Sequence, residues 1–241
     1  MKTCQDFADS FLAIICNIAT NYDEVRLVFD RYMKTMSLKE QMRTKRTKGK
    51  STYYHVKDNT LIQNISLKNF LLYIAPVCQT DIQTRAELTE YLADKVVCHN
   101  ESSNNRLKEF MVTSGTQTKG NVDIPDSLLT HSQEEADTLL MLHAVSVPHE
   151  AELVVSSPNT GVLLLLVHMY PHLPVSIVFL TGKGRLKRNV SVCNIYNNLG
   201  QKRASALLGL HTMTGSNVTG RFAGRTKDWC FQTMRSWMHW Q

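Results

Sequence analysis

The chain has 241 residues, 43% of them hydrophobic, with 27 Lys+Arg against 21 Asp+Glu and a formal net charge of +6. That apolar share suffices for the core of one domain, or of one domain with an extension, and the basic balance favours a polyanionic partner. The longest apolar run, residues 161–167, is far short of the roughly 20 residues that a bilayer span needs, so no membrane span is evident.

Cysteine usage and the N-terminus narrow the class further. Cys4, Cys16, Cys78, Cys98, Cys193 and Cys230 are scattered, with no CxxC pair and no Cys/His cluster at zinc spacing. Reduced, packed thiols are expected rather than a disulfide framework. FLAIICNIA has the apolar character of a secretory h-region, but Asp6 and Asp9 precede it where a signal peptide carries basic residues. The chain reads as soluble and intracellular, and its N-x-S/T sequons at Asn64, Asn100, Asn189 and Asn217 as chance matches.

In chain order, the apolar positions Phe7, Phe11, Leu12, Ile14, Ile15 and Ile18 predict a helix over residues 4–20. VRLVFD is a short β-branched run that closes on Asp30. The following MSLKEQMRTKRTKGK is helical at first and then strongly basic until Gly49. Two helices are expected between residues 66 and 98, broken near Pro76, and HNESSNN is a loop by composition. LKEFMVT predicts a strand, residues 114–130 a long loop, and Ser132 the N-cap of a helix through EEADTLLMLHAV. AELVVSS is then a strand, TGVLLLLVHMY a helix, VSIVFLT a strand, GKGRLKR a turn into a strand NVSVCNI, and QKRASALLGLHTM a helix. Strands alternating with helices imply an α/β fold with a doubly wound, mainly parallel sheet. The expectation is one domain over 1–241, with a basic insertion at 31–60 and a terminal helix at 225–241.

In such a sheet the functional crevice lies beyond the carboxyl ends of the strands. That rule selects Asp30 after LVF, Asn159 and Gly161 after LVVSS, and the helix start bearing Glu134, Glu135 and Asp137. One acid at a strand end and two on a helix start form a set able to hold Mg²⁺, a hard cation that wants oxygen ligands. The plainer reading is that these acids favour a helix N-terminus, worth about 0.3–1 kcal/mol each.

VFDRYMKTMSLKEQMRTKR resembles the segment of flap-endonuclease-like (PIN-like) nucleases in which a strand ends in a metal-binding Asp before a basic helix. EEADT resembles that family's Glu-x-Glu helix start, and SSPNTGVLLLL the following strand and turn, where the family carries Asp-x-Asp. TGSNVTGRF resembles its Gly-Ser-Asp turn. More closely, residues 5–235 resemble a multi-copy metazoan group with the pattern EEADT, SPDTDVLLLL and TGSDITGRF. The resemblance implies a PIN-like fold in which Asp30, Glu135 and Asp137 fall on metal-ligand positions for Mg or Mn. It also implies an arch over the substrate strand at the basic stretch. Three expected carboxylates are replaced here, by Asn159, Gly161 and Asn217. The family's earlier Asp-bearing strand has no counterpart before the first helix, which makes the fold N-terminally short.

The expectation is therefore a catalytically degenerate nuclease domain holding at most one ion weakly, with cleavage slowed by orders of magnitude. Its surface for polyanions is intact. Arg31, Lys34, Lys39, Arg43, Lys45, Arg46, Lys48, Lys50 and Lys57 face a single acid, Glu40, with Tyr53 and Tyr54 among them to stack on bases or pack locally. Lys183, Arg185, Lys187 and Arg188 form a second basic element that lacks the spacing of a phosphate-cradling loop. Arg221, Arg225 and Lys227 follow the TGSNVTG turn. These cations predict sequence-independent, salt-dependent nucleic-acid binding, and residence in the nucleus. His168 and His172 are separated by Pro171 and are not a metal pair, while His143 is expected to be a satisfied core residue. Two other classes compete: a weakly active Mg- or Mn-dependent nuclease, and a decaying member of a multi-copy group with no biochemical role.

Overall fold

Thr3 opens the first helix with a capping box. Its Oγ1 accepts from the Asp6 amide at 3.2 Å, and Asp6 Oδ2 accepts from the Thr3 amide at 2.8 Å, satisfying two donors at the head of α1 (Cys4–Ala19). The structure, a computed structural model, describes residues 3–32, 53–61, 82–102, 109–133, 135–174, 176–182, 184–213 and 232–233. These divide into two compact units, the first running through His143 and the second starting at Ala144.

In the first unit α1 buries Cys4, Phe7, Ala8, Leu12, Ile15 and Ala19. Ile14, placed in the predicted apolar stripe, is instead 37% exposed. Helix α2 (Ile82–Ser102) lays Leu88, Leu92 and Val96 on the same core. It runs on to Ser102, where composition predicts a loop from His99, and Asn100 in its last turns is buried. The expected partner helix around residues 66–76 lies outside the described residues.

Strand β1 (Glu24–Val28) pairs parallel to β2 (Glu109–Ser114), with Val25 opposite Phe110 and Leu27 opposite Val112. Strand β3 (Gln117–Gly120) then returns antiparallel to β2. The long loop predicted over 114–130 is thus a hairpin followed by the short helix α3 (Asp126–Leu129). The hairpin turns on Gly115 at φ +64°, which favours glycine. It escapes a periodicity reading because β3 buries only Thr118 and carries no apolar alternation. Helix α4 (Ala136–Val145), which belongs to this unit through His143, packs Ala136 and Leu139 on Val28.

In the second unit β4 (Glu152–Ser156) and β5 (Ser176–Thr181) are parallel, joined through α5 (Thr160–Met169). Helix α5 buries Val162, Leu166 and Val167, and β5 buries Ile177 and Phe179. Strand β6 (Arg188–Ser191) is antiparallel to β5, and the chain continues into α6 (Val192–Leu199) and α7 (Gln201–Met213). NVSVCNI is therefore half strand and half helix. Ser191 makes the switch, its Oγ accepting the Asn194 amide at 3.2 Å as a helix cap.

The fold is mixed α/β with two three-stranded sheets, ordered β1-β2-β3 and β4-β5-β6. Each contains one parallel and one antiparallel pairing, so the mainly parallel expectation describes half of the described ladders. Short connections after Ser114 and Thr181 leave only a hairpin as the available geometry. Of the predicted terminal helix at 225–241, only Gln232 and Thr233 are among the described residues. No described helix is long and apolar enough to cross a membrane.

Candidate functional site

Asp30 lies two residues beyond β1. The Phe29 amide still donates to Thr113 O at 3.0 Å, and Asp30 then turns to α4, where its Oδ1 accepts the Ala136 amide at 2.9 Å. Glu135 and Asp137 flank that amide in the sequence, so Asp30 meets the helix start that carries both. Glu135 contributes its carbonyl, which accepts from Thr138 Oγ1 at 2.9 Å and from the Leu139 amide at 3.1 Å. Ser132, expected to cap this helix, sits a turn too early, and its carbonyl accepts from Arg31 Nη1 at 3.4 Å. Asp30 does the capping from 106 residues away, a long-range bond with no local sequence signal.

The second strand end is built differently. Beyond β4 the buried Ser157 pairs its amide with Leu180 O at 3.1 Å, and its Oγ accepts the Asn159 amide at 3.1 Å. Asn159 is the N-cap of α5, its Oδ1 accepting the Gly161 amide at 2.9 Å. A Cβ at Gly161 would lie 3.1 Å from that Oδ1, tighter than ordinary packing. Carboxylates at both positions would crowd like charges, which a cation between them or protonation of one of them would relieve. Asn159 with Gly161 relieves the crowding and keeps the cap. Asn217 and Glu134 lie outside the described residues.

Mg or Mn, which the resemblance implies, would draw on Asp30, Glu135 and Asp137. Oδ1 of Asp30 is committed to a backbone amide, and no group of three or more His, Cys, Asp and Glu side chains gathers as a cation site among the described residues. As placed, Oδ1 of Asp30 serves the helix start.

Of the predicted basic residues, Arg185, Lys187 and Arg188 are exposed around the β5–β6 turn. Gly182 adopts φ +84° at its start, and a Cβ there would stand 2.1 Å from Leu186 O, so the turn requires glycine. A 3₁₀ turn over Gly184–Leu186 follows and leaves Leu186 71% exposed. Lys39, Arg43, Lys45, Arg46, Lys48, Lys50 and Lys183 lie outside the described residues, as do Arg221, Arg225 and Lys227.

Residues 53–61, at the end of the basic stretch, are fastened to the first unit. Glu87 on α2 accepts from Tyr53 Oη at 2.6 Å, His55 Nδ1 at 2.7 Å, the Val56 amide at 3.1 Å and Gln83 Nε2 at 3.1 Å. Burial alone pushes this carboxyl up, but the four donors outweigh it and hold Glu87 down at about 2. Asp58 takes Tyr91 Oη at 2.8 Å and Lys95 Nζ at 3.0 Å. The Cys4 and Gln5 amides at the head of α1 donate to Thr60 O and Asp58 O. Tyr53 is thus a hydrogen-bonded anchor. Nothing in the spacing of Tyr53, His55 and Glu87 announces this hub, because its members are about thirty residues apart.

His143 is 3% exposed, in line with a core role. Thr118 Oγ1 donates to Leu128 O at 2.7 Å, so its oxygen must accept from Thr113 Oγ1 at 2.8 Å. Having donated there, Thr113 must accept from His143 Nε2 at 2.8 Å. The chain of bonds therefore selects the neutral Nε2–H tautomer. Burial first, then the charge of Arg26, lowers His143 to about 3; the Arg26 guanidinium itself donates to His143 O at 2.8 Å. At the end of α5, a 3₁₀ turn at Tyr170–His172 breaks the helix between His168 and His172, as Pro171 predicts. Cys4, Cys16, Cys98 and Cys193 are thiols rather than disulfide partners.

No protein-family model, no curated protein and no solved structure matches the chain.

Proposed function

We propose that the chain is a degenerate nuclease-type domain of the PIN-like, doubly wound kind, which binds nucleic acid in the nucleus through its basic segments and does not cut it. The observation that carries this reading is the β5–β6 turn, where Arg185, Lys187 and Arg188 all project into solvent. Cations presented this way bind phosphates by releasing counterions, whatever the sequence. The acid positions support the absence of cutting. Asp30 and Asn159 act as helix caps, and Gly161 has no side chain to offer a metal. Mg or Mn binds weakly, one ion at most.

The test pairs binding with cleavage. Labelled flap and single-stranded substrates are incubated with Mn²⁺ and the natural chain or an Asn159→Asp, Gly161→Asp, Asn217→Asp variant, and binding is titrated against salt. The expected result is salt-sensitive binding and no cleavage by the natural chain, with cleavage restored, if anywhere, only in the triple variant. Absence of binding at low salt overturns the reading. A one-ion nuclease is the second reading, favoured by the meeting of Asp30 with the start of α4 between Glu135 and Asp137. Metal-dependent cutting by the natural chain that disappears in Asp30→Asn would establish it.

A further inference from the structure

Resting on the nucleic-acid reading above, we propose that the β5–β6 turn is a wedge for duplex DNA: Leu186 enters a base step from the minor groove while Arg185, Lys187 and Arg188 hold the flanking phosphates. Leu186 is the most exposed large hydrophobic side chain among the described residues, at 71%. A single exposed leucine is ordinary on a protein surface. This one sits at a hairpin tip with an exposed cation before it and two after it, and the stretch GKGRLKR contains no acid. Charge complementarity therefore names a polyanion as the occupant.

The described residues of the turn close tightly on each other. Thr181 pairs with Arg188 at the base of the hairpin, the 3₁₀ turn fixes Gly184–Leu186, and the backbone at Gly182 closes against Leu186 O more tightly than any side chain would permit. Strand β6 is the last in its sheet order, so the hairpin lies at a sheet edge. The chemistry of the tip selects the form of nucleic acid. Single strands are gripped by aromatic faces on which bases stack, and the tip has none. An aliphatic side chain between cations suits the other mode, in which an apolar wedge partly unstacks a base step and basic neighbours hold the backbone. Flexible pyrimidine–purine steps such as TA deform most cheaply.

The experiment uses the full chain and a short DNA duplex carrying 2-aminopurine at a central TA step. Duplex RNA of the same sequence and phosphatidylserine vesicles serve as the other probes. Binding is expected to raise the 2-aminopurine fluorescence, and Leu186→Ser, at an exposed position, to abolish that rise while DNA remains bound. An Arg185→Ala, Lys187→Ala, Arg188→Ala variant should flatten the dependence of log affinity on log salt by about 2.7, the loss of three phosphate contacts. If DNA binds with no fluorescence rise, or Leu186→Ser keeps the rise, the wedge is wrong and the nucleic-acid reading stands. Equal unstacking of duplex RNA would overturn the assignment to DNA. If no nucleic acid binds, both readings fail, and Leu186-dependent binding to vesicles would reassign the turn to anionic lipid.

Discussion

Asp30 and Asn159 perform the same local task in two different ways. Each follows a strand and supplies an oxygen to an otherwise orphaned amide at a helix start, at 2.9 Å in both cases. Asp30 is charged and reaches a helix 106 residues further on. Asn159 is neutral and caps the helix that it begins, two residues away. The first bond ties β1 to α4 and contributes to tertiary structure, whereas the second belongs to its own turn. The contrast extends to the surroundings: the first unit carries the Thr118–Thr113–His143 chain and the Glu87 hub, both of which reach across about thirty residues, while the side-chain bonds of Ser157, Asn159 and Ser191 in the second span two or three positions. The first unit should therefore be the more sensitive to pH and to single polar substitutions.

The largest expected effect is that of pH on His143. Its folded pKa, about 3, lies below the ordinary 6.5, so the unfolded chain binds the proton better. Stability is full above pH 6.5 and is lost as pH falls toward 3, at up to about 1.4 kcal/mol per unit. His131 is lowered by burial and by Arg31 and acts in the same direction. Glu87, held at about 2 against an ordinary 4.5, adds a loss that begins only below pH 4.5. Urea midpoints between pH 7 and 5 should therefore fall in the natural chain and much less in His143→Leu. Equal falls in both would show that the neutral, hydrogen-bonded histidine is not the sensitive group.

Next in size is Asp30→Ala, which strips the Ala136 amide of its acceptor and should cost about 1–2 kcal/mol. Faster hydrogen exchange at the Ala136 amide, with the second unit's amides unchanged, is the expected signature. Unchanged exchange at Ala136 would separate Asp30 from the cap and leave its carboxylate for other duty.

The smallest effect, and of opposite sign, belongs to Asn159→Asp. A carboxylate caps as well as an amide and adds a favourable charge at the helix N-terminus, so stability should rise by about 0.3–1 kcal/mol. A clear fall in the thermal midpoint would mean that the turn at Asn159 is tuned for something other than capping.

Much of the architecture was readable along the chain. The spacing of Phe7, Leu12 and Ile15, the β-branched runs of β4 and β5, and the apolar stretch of α5 each announce their element, because burial on one face or in a core imposes a period on sequence. The exposure of Arg185, Lys187 and Arg188 was equally legible, since charged side chains in a glycine-bearing turn have nowhere else to go. The polar strand β3 with its hairpin turn, the helical end of NVSVCNI and the last turn of α2 were not. They are decided by a glycine in a left-handed turn, a serine cap and a buried asparagine, which act at single residues and leave no period.

The sequence by itself determined the alternation of helices and strands, the positions of the acids and their neutral replacements, and the two clusters of positive charge. Only the tertiary structure decided that Asp30 ends on the Ala136 amide, that His143 carries its proton on Nε2, that Glu87 gathers four donors, and that Leu186 stands in solvent at the tip of its turn. The physical reason is common to all four. Periodicity and composition report how each residue meets water, whereas a hydrogen bond across thirty or a hundred residues depends on where the finished chain places two groups within 3 Å of each other.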